Sequence, residues 1–417
     1  MSKITRRNFI KSLGAAGALS AFPSIISAAG TAPRVVVIGG GFAGATAAKY
    51  LRKWAPSIDV TLIEPNANYY SCVLSNLVLN NSLSMDQITF NYDQLKSKYG
   101  VKVINEFVAG VDATGHRVEL SSGELIGYDR LIVAPGVAFR DVPGLDFSKV
   151  PHAWKAGDQT LLLKSQLAAM GAGGDFVLRV PKAPFRCPPG PYERAALVAD
   201  FVSKNKPGSR VIVLDANPDI IVEKTTFHDA YDVLYDGIIE YYSNVTLEAV
   251  DSDNRTAITS AGEFNAAVLN VIPDMQAGKI ITDSGLANDP MGRWAGVDPL
   301  SYESTAAADI HVIGDSQATG MPKAGHIANS EAKVCADAVI RLLSDGTPYA
   351  APVTNSACYS PITASTATFL TAAFAYDEAS ASMKAVPASL GAASSPTAGH
   401  YNRMFDWADN LFSDTFA

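Results

Sequence analysis

The sequence has 417 residues, 48% of them hydrophobic, which is enough for two or three domains with filled cores. Its formal net charge is −8, from 33 basic and 41 acidic residues, and this balance argues against nucleic acid or an anionic bilayer as a partner. Four of the basic residues, Lys3, Arg6, Arg7 and Lys11, fall in the first thirty, where there is no acid, so the remainder is more acidic still.

Residues 5–11 read TRRNFIK, twin arginines ahead of an apolar segment, residues 13–26, that is too short to span a bilayer and ends in small residues at Ser27, Ala28 and Ala29. The pattern predicts a twin-arginine signal over residues 1–30 rather than a membrane anchor. It implies a mature chain that folds before it is exported to a periplasm. No later stretch is apolar for long enough to be transmembrane. There are four cysteines, Cys72, Cys187, Cys335 and Cys358; an oxidising compartment allows a pair to be joined, and composition does not fix which. No C-x-x-C-H occurs, so no c-type haem is expected in this chain.

Residues 34–64, RVVVIGGGFAGATAAKYLRKWAPSIDVTLIE, are the most informative stretch. Val35 to Ile38 form a buried-type strand, and Gly39, Gly41 and Gly44 then supply G-x-G-x-x-G ahead of an alanine-rich helix. Gly39 allows the tight turn, Gly41 clears room for a pyrophosphate on the helix N-terminus, and Gly44 lets helix and strand pack closely. A second strand, residues 60–63, ends in Glu64, where a carboxylate can bind ribose hydroxyls. Cys72 follows in YYSCVLSN, either alongside an extended dinucleotide or as a small buried residue. Residues 101–104 and 107–111 read as short strands and residues 117–120 as the start of a hairpin. Residues 128–136, YDRLIVAPG, form an apolar strand closing on Pro135 and Gly136. Strands of this kind end the first FAD segment of two-dinucleotide-fold flavoproteins.

A second domain opens with a helix over residues 159–170 and a strand over 176–180. A nicotinamide site needs a glycine turn next, but PKAPFRCPPGPYER stands there, stiffened by prolines at 181, 184, 188, 189 and 191 and short of the amides a pyrophosphate requires. The strand at 211–214 keeps the βαβ layout, so the scaffold persists without its nucleotide. Pro191 is expected to be the first residue of a helix, placing Cys187 just before an N-terminus whose dipole favours a thiolate. Glu193 is then either an ordinary first-turn acid or a proton acceptor beside the cysteine. Residues 308–343 run from a strand into Gly314 and Asp315 and on to a helix. This resembles the second FAD fingerprint of the disulfide-reductase flavoproteins, whose aspartate binds a ribityl hydroxyl. Cys335 falls on the apolar face of that helix and reads as core. Cys358, in NSACYSPI, is expected in a short polar loop. Near the C-terminus Phe405, Trp407, Leu411, Phe412 and Phe416 form an apolar set accompanied by Asp406, Asp409 and Asp414, which favours packing or a protein interface over an anionic bilayer.

Taken together, YYSCVLSN, RCPPGPYER and NSACYSP resemble the flavoprotein subunit of flavocytochrome c sulfide dehydrogenase. The resemblance implies an α/β fold with two Rossmann-like dinucleotide-binding folds. The FAD domain comes in two segments, residues 31–152 and 289–350, around a degenerate nicotinamide-type domain, residues 153–288, and a C-terminal interface and active-site region follows, residues 351–417. It also implies FAD held covalently through Cys72, a redox disulfide between Cys187 and Cys358 beside the flavin, Glu193 as the nearby acid, sulfide as substrate and a c-type cytochrome subunit as electron acceptor. Two rivals are a sulfide:quinone oxidoreductase, which shares the chemistry but delivers electrons to the membrane, and an exported flavoprotein accessory without enzymatic activity. A nicotinamide-dependent disulfide reductase would need the missing second glycine turn.

Overall fold

The computed structural model describes residues 32–417; the export signal expected over residues 1–30 lies outside them. Strand Arg34–Ile38 is the centre of a five-stranded parallel sheet ordered Ile310–Val312, Arg130–Val133, Arg34–Ile38, Asp59–Ile63, Lys102–Ile104. Its partners lie on both sides, with Val37 opposite Leu62 and Ile132, so Val35 to Ile38 are all buried; a strand covered on both faces must be apolar throughout. Helix Phe42–Trp54 is buried from Phe42 to Leu51, and its small residues let it lie close to the long helix Gly325–Leu342. Between the two, the Asn329 side-chain amide donates to Thr46 Oγ1 at 3.0 Å.

The second domain is a four-stranded parallel sheet ordered Ile239–Tyr242, Val211–Asp215, Phe176–Val180, Val268–Val271, with helix Gly190–Asn205 between its first two strands in the chain. The helix begins at Gly190, one residue earlier than expected, and Pro191 takes its second position, where the missing N–H again costs nothing. These two parallel sheets are the two Rossmann-like units read from the sequence.

Residues 353–417 add an antiparallel sheet and a terminal helix. Cys358 does not lie in a loop as expected: it sits on the nine-residue strand Val353–Pro361, opposite Leu370 of Ala367–Asp377. The strand is hidden in the sequence because three of its four buried residues, Thr354, Ser356 and Ser360, are polar, so the usual alternation of apolar inside and polar outside is absent. The terminal helix Ala398–Phe416 opens on Thr397, whose hydroxyl accepts from the His400 N–H. Phe412 and Phe416 pack into an aromatic cluster with Phe42, Tyr69 and Phe90, the Phe90–Phe416 ring centroids being 4.9 Å apart. Lys49 Nζ donates to the carbonyls of Ser413 and Asp414, satisfying the last turn. The apolar set near the C-terminus is thus largely covered by the chain itself. No helix among the described residues is long and apolar enough to cross a membrane.

Candidate active site

A cleft of about 740 Å³ runs along the C-terminal edge of the first sheet, lined by Gly39, Gly41, Glu64, Cys72, Gly136, Gly314 and Asp315 among others. Gly39 has φ +97°, and a Cβ there would stand 2.3 Å from the Ala134 carbonyl oxygen. Gly44 does not line the cleft; a Cβ on it would fall 1.8 Å from the Gly39 oxygen, so it sets the helix against the strand, as its place in the motif predicts. Glu64 receives the Gly40 N–H at 2.8 Å and the Asn66 side-chain amide at 2.8 Å, fixing its carboxylate at the edge of the cleft. Asp315 has one buried carboxylate oxygen, Oδ1, with no partner among the described residues. Burial pushes its carboxyl up, while the charges of Arg186 and Lys323 pull it down. An orphaned carboxylate oxygen beside a glycine cradle that a side chain would fill suits a hydroxylated, pyrophosphate-bearing cofactor, and these residues therefore fit FAD.

A second, smaller cavity of about 60 Å³ adjoins the first and shares Cys72, Arg186 and Gly325 with it. Cys187, Cys358 and Glu193 all line it, so three residues from two separate regions of the chain meet there. Both cysteines are free thiols in the structure. Cys187 holds a left-handed backbone, φ +58°, kept by two hydrogen bonds: its N–H donates to the Lys323 carbonyl at 2.7 Å, and its carbonyl accepts from the Gly190 N–H at 2.9 Å. A Cβ at Gly190 would meet the Cys187 sulfur at 2.8 Å and the Trp154 ring at 2.7 Å, so the helix start must be bare for the sulfur to lie over it. The expected thiolate preference at this N-terminus is overturned. Burial, then the charges of Cys358 and Glu193, push the Cys187 thiol well above its ordinary value, and Arg186 opposes them only in part. Burial, with Glu223 and Glu193, likewise pushes Cys358 up to about 12.

Glu193 is tied into a buried network that sequence reading missed. The Asn76 amide donates to Glu193 Oε1 at 2.8 Å and to the Gly190 carbonyl at 3.1 Å, while its oxygen accepts from Arg194 Nε at 3.0 Å. Arg194 also donates to the carbonyls of His152 and Ala153 and to the Asn270 side chain, with its guanidinium 5.0 Å from the Trp154 ring centroid. Burial pushes the Glu193 carboxyl up to about 8, against the downward pull of Asn76 and Arg194. Asn76 closes YYSCVLSN and Arg194 closes RCPPGPYER, so both belong to motifs the sequence shows, though nothing along the chain points to their pairing. Trp154 and His326, which also line the small cavity, carry no local signal, and Trp407, which the sequence places in the C-terminal apolar set, lines it too.

Residues 160–273 match the family described as sulfide dehydrogenase (flavocytochrome c) flavoprotein chain, central, and residues 33–173 match that of pyridine nucleotide-disulphide oxidoreductase. The chain is 62% identical over 45 residues, 11% of its length and 94% of the relative's, to a sulfide dehydrogenase (flavocytochrome c) flavoprotein chain of Chlorobaculum thiosulfatiphilum. It is 31% identical over 106 residues, a quarter of each protein, to a sulfide-quinone reductase of Aquifex aeolicus. Among solved structures, the sulfide:quinone oxidoreductase of Aquifex aeolicus superimposes with a TM-score of 0.76 over 93% of both chains at 18% identity. A NAD-dependent persulfide reductase from A. fulgidus does so with a TM-score of 0.63 over 92% of this chain and 77% of that one, at 15% identity. These two likenesses establish the fold.

Proposed function

As the chain belongs to the sulfide-oxidising flavoprotein oxidoreductases, we propose that it is the flavoprotein subunit of a sulfide dehydrogenase. In this reading it is periplasmic, uses a Cys187–Cys358 disulfide and FAD tethered through Cys72, and passes electrons to a c-type cytochrome subunit. Two distant cysteines and a buried acid lie in one cavity whose wall continues into the dinucleotide cleft, and this juxtaposition supports the reading more than any other.

Hydrosulfide is a soft nucleophile, and its attack on one sulfur of the disulfide forms a new S–S bond, breaks the old one and leaves a persulfide on one cysteine and a thiolate on the other. Glu193, raised to about 8, is matched to accept the proton released as the persulfide ionises. Arg186, in the wall common to both cavities, favours the thiolate form of its neighbour Cys187. When the disulfide closes again, one sulfur atom leaves at the zero-valent level, so each hydrosulfide yields sulfur, a proton and two electrons. FAD, when bound, supplies the two-electron acceptor for that step.

Cys72 borders both cavities, where a thioether to the cofactor would keep it from being lost outside the cell's FAD supply. A denaturing gel viewed for flavin fluorescence is expected to show a fluorescent band for the wild type and none for Cys72→Ala; a dark wild-type band removes the tether. The acceptor is tested by following sulfide oxidation with a c-type cytochrome and with a soluble quinone. Cytochrome is expected to be reduced at least about tenfold faster, a difference of roughly 1.4 kcal/mol in barrier. The opposite order would favour a sulfide:quinone oxidoreductase, a reading that the 31% identity over 106 residues to the Aquifex aeolicus sulfide-quinone reductase supports. The match of residues 160–273 to the flavocytochrome c family and the self-covered face of the terminal helix support the cytochrome.

A further inference from the structure

His326 is the second residue of helix Gly325–Leu342 and lines the small cavity with Cys187 and Cys358. Its Nδ1 accepts the backbone N–H of Ala357, the residue before Cys358, at 2.9 Å and the indole N–H of Trp407 at 3.3 Å. A ring nitrogen that accepts hydrogen bonds carries no proton, so the imidazole is the neutral tautomer with its hydrogen on Nε2. Both of these hydrogen bonds are made at Nδ1, which leaves the Nε2–H for a ligand in the cavity. Burial holds the ring below its ordinary pKa; of the nearby charges, Lys333 on the same helix pushes it further down and Asp414 on the terminal helix pushes it up, while the hydrogen bond accepted from Ala357 is available only to the neutral ring and favours that form. The ring is therefore a neutral donor whose orientation is fixed from the strand of Cys358 on one side and from the terminal helix on the other.

Much of the rest of the wall is apolar: Val73, Leu74, Trp154, Pro189 and Pro361. An anion entering such a space loses its hydration and needs a hydrogen bond in return. We infer that His326 is the substrate-binding donor of this cavity, its Nε2–H holding the anionic sulfur of hydrosulfide as it attacks the disulfide and then the terminal sulfur of the persulfide. The inference rests on the reading of the cavity as a sulfide site and adds to it the group that binds the sulfide.

The test is anaerobic flavin bleaching by sodium sulfide in the holoprotein without electron acceptor. His326→Leu is expected to raise the sulfide concentration for half-maximal rate about tenfold or more, as befits loss of one hydrogen bond to an anion, with a smaller fall in the rate at saturation. His326→Gln, whose amide accepts from Ala357 through its oxygen and donates through its nitrogen, is expected to recover most of the loss. Long-range ¹H–¹⁵N spectra of histidine-labelled wild type are expected to show Nδ1 unprotonated and Nε2 protonated at neutral pH. An unchanged half-saturation in a Leu variant with wild-type flavin content overturns the inference, as does a proton on Nδ1. If sulfide fails to bleach the wild type, the sulfide reading itself falls and takes the inference with it, an outcome distinguishable from a wild type that bleaches beside an unaffected Leu variant.

Discussion

Serine at either position 187 or position 358 is expected to slow sulfide-driven reduction of the flavin by at least about a thousandfold, the scale on which removal of an attacked or attacking atom registers. An oxygen in place of one sulfur leaves no S–S bond for hydrosulfide to break, and the thiol that remains has no electrophilic character. The fold should survive the change. Serine is close in size to cysteine, and the contacts that place Cys187 are made by its backbone: the N–H to Lys323, the carbonyl to Gly190 and the left-handed φ. Cys358 is held in its strand through the ladder opposite Leu370. Flavin content and reduction by dithionite should therefore match wild type, and the double variant should be no slower than either single one, because the two sulfurs act as a unit. A single-serine protein that keeps more than a tenth of the wild-type rate would show that electrons reach the flavin by another route.

The sequence makes the scaffold of this site legible, and the reason is local. Gly39 and Gly41 sit between a four-residue apolar run and an alanine-rich helix whose first turn holds Gly44, so turn, strand and helix are all specified within about thirty residues. The prolines around Cys187 are equally local, since each fixes its own φ and removes its own N–H. What was missed is non-local. The strand of Cys358 reads as a loop because Thr354, Ser356 and Ser360 are polar, and the hydrogen bonds that make their burial tolerable come from elsewhere; the Glu223 carboxylate, for example, receives the Ser360 hydroxyl at 3.0 Å. The thiolate preference assigned to Cys187 rested on the helix N-terminus alone, a contribution of order 1 kcal/mol that desolvation in an enclosed site outweighs. The roles of Asn76, Arg194 and His326 depend on partners from other segments, which no spacing along the chain reveals.

Glu193→Gln separates the acid's catalytic role from its structural cost. As the proton acceptor it works only when ionised, so the wild-type rate at saturating sulfide is expected to rise with pH and level off above about 8, the value to which burial pushes it. The Gln variant, which keeps the Asn76 contact in shape but cannot take a proton, is expected to lose about 10²-fold or more on the plateau, together with the inflection near 8. Ionisation of hydrogen sulfide is common to both proteins and cancels when their rates are divided. Stability runs the other way. A carboxyl whose folded pKa lies above its unfolded 4.5 binds its proton more tightly in the folded chain, so the wild type loses stability as pH rises from about 4.5 to about 8, and the loss persists above that. Glutamine carries no such penalty. The variant is expected to melt higher than wild type at pH 9, by an amount corresponding to a few kcal/mol, with the gap closing toward pH 4.5. Arg194, pushed down to about 9 by its own burial, and Glu223, whose charge raises Glu193, face the same site, so the inflection belongs to the group as a whole. A Gln variant that is both slower and less stable at pH 9 would mean that Arg194 already compensates the ionised acid, and would make Glu193 a structural partner of Arg194 instead of a base for the sulfur chemistry.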